Sequence, residues 1–127
     1  MRDTTDMESA DRRWTDCYER IEKIRDYEYD WNDDGAAPLS KEVTELAEAV
    51  LMSLQSHNQR PPDSCFATDE GHVIISWEDE QHYFEIEVDA KLRCTGRQLA
   101  RGASRAESWE LYQSDLPGLC LPVHHQA

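Results

Sequence analysis

The sequence predicts an α+β domain in which two amphipathic helices pack on one face of an antiparallel meander sheet of four to five strands. Two observations support this fold class. Within the first 56 residues, apolar side chains recur at every third or fourth position in two segments, which is typical of helices buried on one side. From residue 64 onward the apolar period becomes two and short polar turns separate the segments, which is typical of antiparallel strands.

The first helix is predicted from about Asp11 to Tyr27. Its apolar stripe consists of Trp14, Cys17, Tyr18, Ile21 and Ile24. The polar segment before it, residues 1–10, is predicted to be a disordered N-terminal tail. Since a chain of 127 residues has the length of one typical domain, residues 11–127 are predicted to form a single α+β domain.

The second helix follows a turn that contains Pro38. Ser40 is a candidate N-cap, and Glu42 stands in the first turn, where the helix dipole favours an acid. The apolar stripe consists of Val43, Leu46, Val50, Leu51 and Leu54. The helix is predicted to end near Ser56, because the paired prolines that follow cannot continue it.

Four segments have the alternation of strands: SCFAT, HVIISWE, HYFEIEVD and KLRCT. In the third, the apolar face carries Phe84, Ile86 and Val88, and the polar face carries Tyr83, Glu85 and Glu87. Residues 104–113 fit two structures: Ser104 and Glu107 have the form of a capping box for a short helix, and SWELY has the form of an edge strand. The final segment, LPGLCLPVHHQA, is predicted to be irregular, with its leucines against the core.

The chain is strongly acidic, with 27 Asp and Glu against 13 Lys and Arg and a net charge of -14. Such a chain repels nucleic acids and anionic membranes at long range, so we expect neither as a partner. It suits a soluble protein or one that docks on a basic surface. No apolar run has the length of a membrane span and the N-terminus lacks a signal pattern, so we expect a cytoplasmic protein with reduced cysteines.

The stretch YDWNDDGAAPLS, residues 29–40, resembles the start of a calcium loop. Asp30, Asn32 and Asp34 alternate and Gly35 follows, as in the first six positions of an EF-hand loop. However, Lys41 stands where the bidentate acid should close the site. The three oxygen side chains are therefore weak metal candidates. The alternative is a helix-to-helix turn in which Gly35 supplies an unusual backbone angle.

The same stretch overlaps a segment, residues 26–34, that holds five acids, three aromatic residues and no base. Aromatic side chains supply contact energy and acids steer a basic partner, so this composition favours a protein-binding surface. The alternative is that Tyr27 and Trp31 face the core while the acids face water. The partner-binding candidates are Tyr29, Asp30, Trp31, Asp33 and Asp34, with Glu85 and Glu87 on the predicted sheet.

We identify no catalytic residues. Glu85 and Glu87 are paired carboxylates, but we expect them on a solvated face, and His72 and His82 have no evident partner. Arginines recur every four residues from position 93 to 105, either as a phosphate-binding stripe or, as we prefer, to neutralise the chain's own acids. Cys120 and His124 are too few ligands for a metal. We expect no cofactor, and the absence of a catalytic constellation in the sequence favours a protein that is not an enzyme.

The motif WNDDGAAP, residues 31–38, resembles the W-D-G-x-G-A-x-P pattern of a set of small, uncharacterised, mostly bacterial proteins. In that set an apolar helix follows, and then a strand of the form G-[GH]-[IV]-x-[IL]-x-W, which corresponds here to GHVIISW. The resemblance covers about residues 25–90, with Asn32 and Asp33 departing from the pattern. It implies a structural turn and assigns no catalytic residue.

These observations favour a non-catalytic, acidic protein-binding module of the kind that inhibitors, immunity proteins and antitoxins present to a basic enzyme. One alternative is a small metal-binding protein or metal-dependent enzyme that uses the acids and histidines. Another is a homodimeric structural subunit, joined edge to edge or through the outer sheet face around Ile74 and Tyr83. The sequence identifies neither the partner nor the oligomeric state.

Overall fold

The structure, a computed structural model, describes residues 4–112, with residues 4–8 described as backbone only. Its elements are helices α1 (Thr4–Arg25) and α2 (Lys41–Ser56) and strands β1 (Ser64–Ala67), β2 (Val73–Glu78), β3 (His82–Val88), β4 (Cys94–Ala100) and β5 (Glu107–Leu111). The strands form one antiparallel sheet in the order β1-β2-β3-β4-β5. Helix α1 packs against α2 and on β1, and α2 packs on β2 and β3. The predicted α+β class is confirmed, and the meander of four to five predicted strands has five.

Helix α1 begins at Thr4, seven residues before the predicted start at Asp11. The helix therefore extends into the segment for which the sequence predicted a disordered tail, residues 1–10. The polar segment showed no apolar stripe, but once an amphipathic helix has nucleated, each added residue costs little. Residues 113–127, with the predicted irregular segment and the Cys120–His124 pair, lie outside the described residues.

The start of α2 confirms the predicted N-cap. Ser40 has an extended backbone, with φ -69° and ψ 151°, and its Oγ accepts a hydrogen bond of 3.2 Å from the backbone N–H of Val43. This bond satisfies one of the free donors at the helix start. At the other end the backbone N–H of Gln59 donates to the carbonyl of Leu54 at 3.0 Å, and Asn58 adopts φ 60°. The chain therefore turns away before the paired prolines.

The core lies between the helices and one face of the sheet. Trp77 is fully buried at its centre, where its Nε1 donates to the carbonyl of Arg60 at 2.8 Å and its ring lies 5.8 Å from that of Phe84. The largest fully buried aliphatic side chains around it are Ile21, Ile24, Val43, Val50, Leu51, Leu54, Val73, Ile75, Ile86 and Val88. Burying each such side chain contributes about 1.5–3 kcal/mol, so the sheet and helix layers hold each other in place.

Two aspartates shape the hairpin turns of the meander. Between β2 and β3, Asp79 Oδ1 accepts from the backbone N–H groups of Gln81 and His82, each at 2.7 Å. These hydrogen bonds lower the pKa of Asp79. Asp89 plays the same part between β3 and β4. Its Oδ1 accepts from the backbone N–H groups of Lys91 and Arg93 at 2.9 and 3.0 Å. Both turns stabilise the charged carboxylate and set the strand register.

The segment SWELY, left open between helix and strand, forms β5 up to Leu111. Trp109 lies opposite Gly96 of β4, and a Cβ built on that glycine would meet the indole at 3.1 Å. The indole thus fills the space that the missing side chain leaves, and its ring lies 5.8 Å from that of Phe84. In a strand, residues two apart share a face, so Trp109 and Leu111 both lie on the core side. This shared packing explains why the segment forms a strand and not a helix.

Candidate functional site: an acidic and aromatic corner

Residues 26–40 connect α1 to α2 and are called the α1–α2 corner here. Its backbone is tightly turned: Asp30, Asp33 and Gly35 have φ values of 66°, 62° and 82°. The N–H of Asp30 donates to the carbonyl of Ala36 at 2.7 Å, and the N–H of Asp33 donates to the carbonyl of Asp30 at 3.0 Å. Aspartate tolerates the left-handed region better than most residues, so the sequence suits this shape.

The polar side chains of the calcium-like series hold the turn together. Asp30 Oδ1 accepts from the N–H of Gly35 at 2.6 Å, and Asn32 Oδ1 accepts from Asp34 and Ala36 at 2.9 and 3.2 Å. These oxygens therefore bind backbone donors of the corner itself. Within residues 4–112, no group of three or more His, Cys, Asp or Glu side chains is arranged to hold a metal ion. The geometry supports the alternative of a structural turn, with Gly35 in the left-handed region.

Trp31 anchors the corner to the protein. Its Nε1 donates to the carbonyl of Ala37 at 2.9 Å, and its ring stacks on that of Tyr27 with centroids 4.7 Å apart. Both rings are partly buried and pack against the core. Of the aromatic residues proposed for partner binding, Trp31 is therefore a support that orders the corner, as the inward-facing alternative expected.

Tyr29 and the acids form the outward surface of the corner. The Tyr29 side chain is 70% exposed, the most of any large hydrophobic residue in the described chain. Around it the exposed carboxylates are those of Asp26, Glu28, Asp30, Asp33 and Asp34. No ion pair among the described residues neutralises any of them. The corner thus presents one aromatic ring in a field of uncompensated negative charge.

Glu85 and Glu87 lie apart from the corner, on the sheet face opposite the helices. There they join an internal network: Arg97 hydrogen-bonds both carboxylates, and His72 Nδ1 lies 2.6 Å from Glu87 Oε2. The side chains of Glu85 and Glu87 are only 13% and 20% exposed. One cation, Arg97, therefore contacts both carboxylates, and the expectation of a solvated acidic face with an unpartnered His72 is corrected.

Tyr83 extends this network. Its hydroxyl donates to Glu85 Oε1 at 2.8 Å. Burial, together with this hydrogen bond to a carboxylate, raises the pKa of Tyr83 to about 12. Burial lowers the pKa of Arg97, but its bonds to the two glutamates outweigh that effect, and the pKa is raised overall. The network stabilises the outer sheet face by holding both carboxylates in hydrogen bonds.

Of the regularly spaced arginines, Arg93 and Arg97 pair with acids of the chain, as the preferred interpretation expected, whereas Arg101 donates to backbone carbonyls. Arg93 pairs with Asp89 at 3.2 Å, and Arg101 donates to the carbonyl of Asp79 at 3.3 Å. Arg97 lies directly opposite Glu85 in the β3–β4 register. Sequence reasoning missed this pairing, although a signal existed: once the turn after β3 is placed at residues 89–93, the opposite residues follow.

The cysteines offer no activated nucleophile among the described residues. Burial raises the pKa of Cys17 to about 11 and that of Cys65 to about 12, so both remain protonated thiols at neutral pH. The two thiols line a cleft between α1 and β1 together with Arg13 and Arg20. Both arginines donate to β1 or to residues just before it, which leaves the cleft without a catalytic set.

No helix within residues 4–112 is long and apolar enough to cross a membrane. The resemblance of WNDDGAAP to a family pattern stays a prediction. No protein-family model, curated protein or solved structure matches the chain.

Proposed function

We propose that the chain is a non-catalytic, acidic protein-binding module that docks on a basic protein partner through the α1–α2 corner. The observation that carries this proposal is Tyr29, 70% exposed beside the exposed, unpaired carboxylates of Asp33 and Asp34. Large exposed aromatic residues are frequent energetic centres of interfaces, and surrounding charges select the partner and speed its approach.

The rigidity of the corner supports the same proposal. The bonds of Asp30 and Asn32 to backbone N–H groups and the stacked Trp31 hold the loop in one shape before a partner arrives. A preorganised loop loses little conformational entropy on binding, so more of the contact energy appears as affinity. A corner that only linked two helices would not require an outward ring.

The charge of the molecule defines the chemistry of the partner. With a net charge of -14, the chain attracts a basic protein surface and repels nucleic acid. We place the protein in the cytoplasm and compare its role to that of an inhibitor, immunity protein or antitoxin acting on a basic enzyme. Because Glu85 and Glu87 are partly buried and hydrogen-bonded to Arg97 and His72, the corner is the main contact and these two are secondary.

The test is affinity capture from extracts of the native host with the wild-type chain and two corner variants, Tyr29→Ala and the double variant Asp33→Asn with Asp34→Asn. We expect a stoichiometric basic partner on the wild type, released by added salt. Tyr29→Ala should weaken the purified complex by about 2 kcal/mol, or roughly 30-fold.

Matched controls use surfaces away from the corner. Met52→Ala removes another hydrophobic side chain, 58% exposed, from α2. Asp69→Asn with Glu70→Gln removes the same charge from the exposed turn before β2. Both controls should capture the partner normally. Equal losses in corner and control variants, or a wild-type chain that captures no stoichiometric partner, would contradict the proposal.

A further inference from the structure

The two edges of the sheet are protected to different extents. Along β1, Arg20 Nε of α1 donates to the carbonyl of Cys65 at 3.2 Å, and Arg13 Nη2 donates to the carbonyl of Pro62 at 3.4 Å. The helix therefore occupies carbonyl groups at this edge with cationic side chains. A helix that lies against an edge strand in this way hinders pairing with a further strand.

The β5 edge is open within the described chain. Among residues 4–112, β4 is the one element that lies along β5. Residues 107–110 are exposed, and Trp109 at the strand centre is 38% exposed even though its ring packs over Gly96. An edge strand without cover presents unpaired backbone donors and acceptors to another strand.

We propose that β5 pairs in antiparallel fashion with β5 of a second copy, so that the five strands of each copy form one continuous sheet. The register that pairs all five residues places Trp109 opposite its counterpart, Ser108 opposite Glu110, and Glu107 opposite Leu111. No like charges then face each other, which is the condition for a favourable cross-strand pair. A shift of one residue that places Glu107 opposite Glu110 would break this condition.

The strand is thus complementary to itself, as a two-fold interface requires. Opposite residues of an antiparallel pair share a face, so the helix layers of both copies lie on the same side of the joined sheet. The ring of Trp109 is held between Gly96 and Phe84, and the pairing therefore needs no rearrangement of the core side. This dimer neither requires nor excludes a partner at the corner.

The net charge gives the dimer a recognisable salt dependence. Two chains of charge -14 repel each other, so screening by salt should strengthen the dimer. Binding of a basic partner at the corner should weaken under the same change. Failure of one proposal is therefore distinguishable from failure of the other.

The experiment compares Ser108→Glu with Ser108→Lys by sedimentation velocity over a concentration series at low and high salt. Ser108→Glu places a carboxylate opposite Glu110 of the second copy, twice by symmetry, and should weaken the dimer roughly three- to tenfold. Ser108→Lys places an ammonium there and should strengthen it by a similar factor. Within one chain the two substitutions should have the opposite order of effect on monomer stability. Arg97 lies opposite Ser108 on β4, where it would attract the carboxylate and repel the ammonium.

This reversal separates dimerisation from folding. If the substitutions acted only on monomer stability, Ser108→Glu would be the better folded variant and would not lose the dimer. Phe66→Glu on the covered β1 edge serves as the control and should leave the dimer unchanged. A wild-type chain that stays monomeric at high concentration and high salt overturns the proposal, and so does a dimer that Phe66→Glu dissociates while both Ser108 variants retain it.

Discussion

The backbone at Asp30 gives the sharpest test of how the corner is held. This residue adopts φ 66°, and its Oδ1 accepts the N–H of Gly35 at 2.6 Å. Three substitutions separate the two roles. Asp30→Asn keeps an acceptor and the tolerance of positive φ, Asp30→Gly keeps only the tolerance, and Asp30→Ala keeps neither.

The expected losses follow from these roles. Removing an exposed hydrogen bond costs about 1 kcal/mol, and leaving alanine at positive φ costs about 1 kcal/mol more. We therefore expect Asp30→Ala to lower the free energy of unfolding by about 2 kcal/mol. Asp30→Gly should lower it by about 1 kcal/mol, and Asp30→Asn by less than about 0.5 kcal/mol.

Urea titrations monitored by tryptophan fluorescence measure these differences, and the Tm of Asp30→Ala should fall by roughly 6–10 °C. Asp34→Ala is the control, because its side chain is exposed and its φ is not positive, so its stability should match the wild type. If alanine proved as stable as glycine at position 30, the backbone argument would be refuted. If asparagine were as damaging as alanine, the carboxylate charge would matter more than the hydrogen bond.

Four further predictions concern pH, turns, thiols and metals. Folding raises the pKa of Tyr83 from the ordinary value of 10.0 to about 12. The stability that this shift contributes is therefore fully present below pH 10 and is lost as pH rises toward 12. Tyr83→Phe should remove this fall in the free energy of unfolding between pH 10 and 12. Burial raises the pKa of Asp89, but its backbone bonds and Arg93 lower it more, so Asp89→Ala should cost about 1 kcal/mol at neutral pH and progressively less as acid protonates the wild type. Thiol-labelling with mass spectrometric mapping should modify Cys17 and Cys65 slowly in the native protein and rapidly in denaturant, and fast native labelling would contradict their burial. Added calcium should leave the Tm unchanged. A Tm that rises and then saturates with calcium concentration would instead indicate a metal site in the corner.

Much of the fold could be predicted because its signals are local. The apolar alternation of Phe84, Ile86 and Val88 assigned the inner face of β3, and the structure buries all three. Ser40 capped the second helix as expected. Such patterns depend on neighbours within a few residues, so the sequence carries them directly.

The candidate site was predictable in composition and less so in geometry. The acids and aromatic residues of the corner were identified as a group, but their pattern did not show that Tyr29 faces outward while Trp31 stacks on Tyr27. Whether Asp30 binds a metal or a backbone N–H depends on the φ angles of the corner, which the identities of neighbouring residues do not specify. The position of Lys41 was the one local sign that favoured the turn.

By itself, the sequence determined the two helices, the alternating strands and a charge that favours a basic partner. Only the tertiary structure decided that Glu85 meets Arg97, that His72 meets Glu87, and that SWELY is an edge strand packed over Gly96. These contacts join residues that are far apart in the chain, and they depend on strand register and order, which the packing of the whole core selects. The same long-range packing brings α1 over the β1 edge and leaves β5 uncovered within residues 4–112.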